Sequence, residues 1–301
     1  MCSGTKNKLS PFIKEQMESL MNCDIHFAVF QITRSGVVGY LNNLRHFKEY
    51  IKNFKPDIIH AHYGLSGLFA NLQRKVPVIT TYHGSDINDK KILFLSKICI
   101  RLSKYNIFVS NKLKEISKIK NKYAVIPCGV DLNNFICIEQ KNAREQMNFN
   151  KTDKLILFAG AFDNKIKNPL LAQNAVKLLK DAKLIELKDY TREEVNILMN
   201  AVDVALMTSY AEGSPQFVKE AIACNCPVVA TNVGDVAWLF GNEPGYFITD
   251  FNSVDCADKI RKALTFVEMN GKPNGRQRII DLKLDRKDVA YKLYEIYKNL
   301  F

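Results

Sequence analysis

No two of the eight cysteines form a C-x-x-C pair, and 301 residues hold one tryptophan, 9 prolines and 14 glycines. Structural zinc sites use cysteines paired at short spacing, so the first absence argues against zinc, and we expect no metal site. The low proline and glycine content excludes collagen-like and low-complexity classes. Nowhere do about 18 apolar residues run uninterrupted, so no helix is expected to cross a bilayer. The opening Met1-Cys2-Ser3-Gly4-Thr5-Lys6 has no charged segment leading into an apolar one. From this we expect no secretory leader, reduced thiols and a cytoplasmic location.

What is present is an ordinary globular composition, long enough for about two domains. The formal net charge of +12 is unevenly spread: residues 1–145 hold 22 Lys and Arg against 11 Asp and Glu, while the remainder is nearly balanced. A basic half suits nucleic acid, an anionic lipid surface or phosphorylated ligands, and charge alone does not choose among them. No nucleic-acid motif is present, and aromatic residues do not interleave with a Lys/Arg stripe, so we expect no nucleic-acid partner.

Short β-branched runs alternate with helical patterns. Ile25–Ile32, Asp57–His62, Pro77–His83, Tyr105–Ser110 and Tyr123–Ile126 read as strands, separated by helical segments. A polar stretch rich in asparagine, 132–153, reads as a linker. The alternation then resumes with strands Lys154–Ala159, Ala182–Leu187, Asp203–Thr208 and Pro227–Thr231. Val289, Leu293, Ile296 and Leu300 mark an amphipathic helix at the end. The pattern implies α/β architecture: two Rossmann-like doubly wound domains, 1–131 and 154–284, with 285–301 as a closing helix. Ligands of such sheets bind beyond the carboxyl ends of the strands, so residues just after each strand are the candidates.

After Val202–Met207 comes Thr208-Ser209-Tyr210-Ala211-Glu212-Gly213-Ser214-Pro215, with Ser214 placed to cap a helix and Pro215 at its first position. Such a helix start suits a phosphate. Glu212 and Glu220 form E-x7-E, but Glu186 and Glu194 share that spacing; only the first pair has a glycine turn. Lys165 and Lys167 follow the strand ending at Gly160, and read by themselves they are a solvated loop pair. His83 ends a strand before Gly84, equally compatible with a ligand-facing and a structural histidine. His60 and His62 flank Ala61, and we place them on opposite faces of the strand end, unable to share a metal. Lys90–Lys104 interleaves basic and apolar residues, either a sheet-covering helix or a membrane-surface one.

The block Glu212-Gly213-Ser214-Pro215-Gln216-Phe217-Val218-Lys219-Glu220-Ala221 with Pro227-Val228-Val229-Ala230-Thr231 resembles the family 4 retaining glycosyltransferases. His60-Ala61-His62, His83-Gly84-Ser85-Asp86 and Pro127-Cys128-Gly129-Val130-Asp131 fit in order. The resemblance implies the GT-B fold, two domains facing across a cleft with the C-terminal helix packing back toward the N-terminal domain. It implies a nucleoside diphosphate sugar, UDP or GDP, as co-substrate, no further cofactor, and a saccharide or lipid-linked acceptor at the inner face of the plasma membrane.

Carried over by residue, it assigns Glu220 to the ribose hydroxyls, Glu212 and His83 to the transferred sugar, and Lys167, with Lys165 and Gly160, to the diphosphate. The backbone of Gly213, Ser214, Pro215, Gln216 and Phe217 would take the distal phosphate, and His62 and Gly4 the acceptor side. Three departures stand out. Ala161 stands where the family has an arginine, Trp238 where it often has an acid, and the chain enters as if after the family's first strand. One strand unit between Asn168 and Glu186 is also expected to be missing or shortened. Two alternatives stay open: a catalytically impaired nucleotide-sugar binder, and a hydrolysing sugar-nucleotide epimerase.

Overall fold

The computed structural model describes residues 2–3, 10–32, 39–40 and 42–300. Its contacts divide the chain into two units, Met1–Gly129 with Arg286–Phe301, and Val130–Asp285.

Unit 1 runs β1 (Cys2–Ser3), α1 (Pro11–Leu20), β2 (Gln31–Ile32), α2 (Leu44–Phe54), β3 (Ile59–His62), α3 (Gly64–Asn71), β4 (Val78–Tyr82), α4 (Ser85–Asn88), α5 (Lys90–Leu102), β5 (Tyr105–Phe108), α6 (Asn111–Ser117) and β6 (Tyr123–Val125). Strands β3-β4-β5-β6 form one parallel sheet in that order, and β1 pairs in parallel with β2, Cys2 opposite Gln31. The closing helix α14 (Arg286–Lys298) belongs to this unit and packs on α1, as the resemblance implied. Val289, Ala290 and Leu293 bury its inner stripe against Leu20, Ile79 and Ile107.

The expected strand Ile25–Ile32 is a strand only at Gln31–Ile32. The alternation is real, since Ile25 and Phe27 pack with one apolar cluster and Phe30 and Ile32 with another. A strand also needs a hydrogen-bonded neighbour along its length, and among the described residues β2 has one only at β1.

Unit 2 contains α7 (Gln140–Gln146), β7 (Lys154–Phe158), α8 (Pro169–Lys177), β8 (Ala182–Glu186), α9 (Arg192–Ala201), β9 (Val204–Met207), α10 (Gln216–Ala223), β10 (Val228–Thr231), α11 (Val236–Phe240), β11 (Tyr246–Thr249), α12 (Ser253–Asn270) and α13 (Gly275–Asp281). Its sheet is parallel, in the order β11-β10-β9-β7-β8. Every residue of β9 and β10 is buried, the continuous apolar run of a strand covered on both faces. Helix α8 carries the crossover from β7 to β8, so the stretch between Asn168 and Glu186 holds one helix and one strand.

Residues 132–153 are not a linker but part of unit 2. Helix α7 is polar, yet its groups are spoken for. Arg144 is buried and forms an ion pair with Asp203 at 2.9 Å, and Gln140 donates to the carbonyls of Ala201 and Val202. Asn196 and Asn200 accept from the backbone N–H groups of Ile136 and Ile138.

Candidate active site

In unit 2 the segments after β7 and β9 are fastened together. The Thr208 hydroxyl donates to the carbonyls of Lys167 and Asn168 at 3.0 and 2.9 Å, and the Tyr210 N–H donates to the Ile166 carbonyl at 2.9 Å. This holds the one-turn 3-10 helix Lys165–Lys167 against the loop that carries Glu212. Lys167 Nζ then donates to Glu212 Oε1 at 2.7 Å. Gly160 has φ +153°, and a Cβ there would stand 3.2 Å from Lys167 Cγ. The glycine therefore leaves room for the lysine stem.

Glu212 and Gly213 rest on the turn before α11. Gly234 has φ +60°, and a Cβ on it would come within 2.7 Å of the Gly213 carbonyl oxygen. The helix start differs from expectation: Pro215 is the N-cap and Gln216 the first helical residue, with no side chain capping it. Proline at ψ 116° lies outside the helical region, which shifts the helix one residue on. The Ser214 hydroxyl, buried, has no hydrogen-bond partner, and Phe217 packs into the core, so only their backbone faces the expected role.

Glu220 is buried one turn into α10, and Arg192 Nη2 donates to its Oε1 at 2.7 Å. The Arg192 guanidinium also lies 4.7 Å from the Phe135 ring centroid, and Arg276 donates to the Phe135 carbonyl. Each glutamate of the E-x7-E pair thus carries its own cation, Lys167 for Glu212 and Arg192 for Glu220. The competing pair is structural: Glu194 closes a capping box with Thr191, and Glu186 accepts from the Phe162 N–H. Ala161 supplies no charge, Lys165 is exposed, and Trp238 is partly exposed with its carbonyl accepting from Arg278.

Beneath the loop lie two groups the sequence reading did not single out as site residues. Lys219 is fully buried, and Asp235, at the N-cap of α11, is buried with neither oxygen hydrogen-bonded. Burial pushes the Asp235 carboxyl up to about 6, against the opposing charge of Lys219. A lysine inside an otherwise apolar helix face was the signal available in the sequence.

Unit 1 gathers its histidines. His62 Nδ1 and His83 Nε2 are 3.0 Å apart, and the Cys128 Sγ lies 3.8 Å from His83 Nδ1. The His60 and His62 rings stack at 4.6 Å, so the two share one face of β3. Placing them on opposite faces was wrong, because side chains two apart along a strand point the same way. His60 is also bonded to the Tyr297 and Thr81 hydroxyls. Burial pushes His60 down to about 3 and holds His62 well below the ordinary histidine range.

Asp86 positions His83. Its carboxylate accepts from the N–H groups of His83, Gly84 and Gly64 at 2.9 to 3.1 Å, while burial pushes it up to about 6. Among the described residues no group of three His, Cys, Asp or Glu is arranged to hold a metal ion. Gly4 lies outside the described residues.

Residues 11–134 match the model of Glycosyltransferase Family 4 and residues 157–265 that of Glycosyl transferases group 1. A putative teichuronic acid biosynthesis glycosyltransferase, TuaC of Bacillus subtilis, is 25% identical over 70% of this chain and 62% of its own length. A UDP-Gal:alpha-D-GlcNAc-diphosphoundecaprenol alpha-1,3-galactosyltransferase of Escherichia coli is 25% identical over 68% of this chain and 65% of its own. The chain therefore spans less than two thirds of the length of either relative. Among solved structures, sucrose-phosphate synthase of Thermosynechococcus elongatus superposes with a TM-score of 0.83 at 18% identity, covering 96% of this chain and 92% of that one. HepE of Anabaena in complex with UDP gives 0.79 at 14% identity and 99% coverage of both.

Proposed function

The chain belongs to the family 4 glycosyltransferases, and from that premise we propose that it is a retaining enzyme acting in surface polysaccharide or glycolipid synthesis, which moves a sugar from a nucleoside diphosphate sugar to an acceptor hydroxyl. The observation that carries this is the pairing of both E-x7-E glutamates with cations on one sheet end, Lys167 with Glu212 and Arg192 with Glu220. Glu220 offers a buried carboxylate to the ribose hydroxyls, and Glu212 one to the hydroxyls of the transferred sugar. Lys167 and the start of α10 meet the charge that develops on the leaving diphosphate. We assign this task to the side chain and the helix rather than to a metal, with no cofactor beyond the nucleotide sugar. His83, held by Asp86, is assigned to the transferred sugar, and His62 to the acceptor side.

In this reading the bond from the anomeric carbon to the phosphate oxygen breaks while the acceptor oxygen bonds on the same face. The acceptor's proton passes to the departing phosphate, so no enzyme nucleophile takes part and positioning supplies most of the catalysis. HepE in complex with UDP-glucose and a relative acting on a diphosphoundecaprenol-linked sugar support a UDP-sugar donor and a lipid-linked acceptor. A cytoplasmic site at the membrane fits such an acceptor. Helix α5 supports peripheral contact, because Ser96 and Cys99 face inward while Phe94, Leu102, Lys91 and Arg101 are exposed. Co-sedimentation with anionic vesicles that survives Phe94→Ser would remove α5 from that role.

The test is turnover of UDP- and GDP-sugars with polyprenyl-diphosphate saccharides. Formation of an α-linked product from an α-linked donor supports retention, and an inverted product overturns it. Ala161 in place of arginine favours a second reading, a nucleotide-sugar binder without turnover. Tight nucleotide binding with no product from any acceptor would support it.

A further inference from the structure

The ring of His83 is gripped from several elements of unit 1. Its Nε2 stands 3.0 Å from His62 Nδ1, at the end of β3, and its Nδ1 stands 3.8 Å from the Sγ of half-buried Cys128, which follows β6. The rings of Phe12 and Tyr63 each lie 4.8 Å from it, centroid to centroid. Tyr63 reaches this place through a strained backbone, φ +73° and ψ 145°, a region that side chains rarely enter. Its N–H donates to the Thr81 carbonyl and its carbonyl accepts from the Gly67 N–H, so the strained turn is bonded on both sides.

Proton counting gives these contacts a direction. Two imidazole nitrogens 3.0 Å apart share one proton, so one ring donates and the other accepts. His62 is buried, which keeps it neutral. The contact between Cys128 and His83 offers the same choice. A thiol holds its proton up to a pH of about 8.5 and an imidazole to about 6.5, so the proton stays on sulfur. Between the neutral partners the imidazole lone pair is the better acceptor, because a thiol sulfur accepts only weakly. The thiol therefore donates to His83 Nδ1. The one proton of the neutral ring is then on Nε2, where His62 Nδ1 accepts it.

We propose that Cys128 is a positioning residue for His83: its thiol donates to Nδ1 and thereby fixes the ring as the tautomer protonated at Nε2, the proton that His62 accepts. No bond of the transfer reaction forms to the sulfur. With the thiol in place a sugar hydroxyl meets a ring whose single N–H is at a defined atom. Without it the two neutral tautomers interchange, and only part of the protein carries the proton where it is needed. The consequence for turnover rests on the assignment of His83 to the transferred sugar, whereas the tautomer itself does not.

Long-range proton–nitrogen correlation spectra of the whole chain, labelled at its histidine nitrogens, read which ring nitrogen carries the proton, and His83→Gln identifies the His83 signals. At pH 7 the parent is expected to show His83 protonated at Nε2 alone. Cys128→Ala should turn that signal into a mixture of tautomers while His26 and His46 stay as they are, which shows that the fold persists. Cys128→Asn, whose amide reaches further than the thiol and also donates, should restore the parent state. With any donor and acceptor that the parent turns over, Cys128→Ala should lower kcat about two- to tenfold at unchanged donor KM, and the asparagine variant should recover it. His83 protonated at Nδ1 or at both nitrogens in the parent overturns the proposal. So does a Cys128→Ala protein with the parent's spectrum, or one whose tautomers mix while kcat holds. A parent that turns over no donor counts against the proposed function, and the spectra then decide the tautomer by themselves.

Discussion

Replacing Arg192 by alanine removes a guanidinium 2.7 Å from a carboxylate whose side chain is 4% exposed. An exposed ion pair contributes about 0 to 1 kcal/mol, whereas breaking a buried one costs about 3 to 5 kcal/mol. Arg192 is itself 36% exposed, so the pair falls between these limits. Adding a contact over the Phe135 ring worth about 0.5 to 1 kcal/mol, we expect Arg192→Ala to cost about 2 to 3 kcal/mol. For a unit of this size that is a fall in Tm of roughly 4 to 12 °C. Glu220→Gln removes the charge that needs pairing, so the double variant should be less destabilised than the sum of the singles by at least about 1 kcal/mol. Urea unfolding of the four proteins, followed by a probe in unit 2, measures this. Additivity within about 0.5 kcal/mol, or an Arg192→Ala protein as stable as the parent, would refute the claim that Arg192 neutralises Glu220.

Other perturbations have similarly defined outcomes. Lys167→Met should lower turnover about 100-fold with a smaller change in nucleotide affinity, and an unchanged kcat would free Lys167 from the leaving-group role. Gly234→Ala puts a Cβ within 2.7 Å of the Gly213 carbonyl at φ +60°, which should cost about 1 to 3 kcal/mol and weaken nucleotide binding by shifting the Glu212 loop; unaltered affinity on titration contradicts this. His60 titrates at about 3 when folded against 6.5 when unfolded. Between those values the unfolded chain takes up a proton the folded one refuses, so stability is lost as pH falls through that window. Asp86, at about 6 against 3.8, acts in the opposite sense, since its folded form keeps a proton between those values and stability falls as pH rises. Hence His60→Gln should narrow the gap in urea midpoint between pH 7 and pH 5 and Asp86→Asn should widen it, and equal gaps in all three proteins would refute both assignments.

The parallel sheets were legible because short, wholly apolar runs such as Val204–Met207 alternate with helical patterns, and the E-x7-E loop because a glycine turn and a proline frame it. What escaped has common physical causes. Helix Gln140–Gln146 looked like a linker because its inward face is Arg144, paired with Asp203, rather than an apolar stripe. Segment 25–30 read as a strand because its own pattern is that of one, whereas pairing depends on a neighbour its sequence does not encode. Arg192 and Asp86 act on partners 28 and 22 residues away in sequence, Glu220 and Gly64, and no local spacing announces either contact.

The central claim, that Glu212, Glu220 and Lys167 form a nucleoside diphosphate sugar site in unit 2, is tested most directly by calorimetric titration of the parent protein and Glu220→Gln with UDP, GDP and ADP. The account predicts that one nucleotide binds the parent and that its affinity falls at least about tenfold in the variant, the loss of an interaction worth about 1.4 kcal/mol. Equal affinity in the two proteins, or no binding of any of the three nucleotides to the parent, would contradict it.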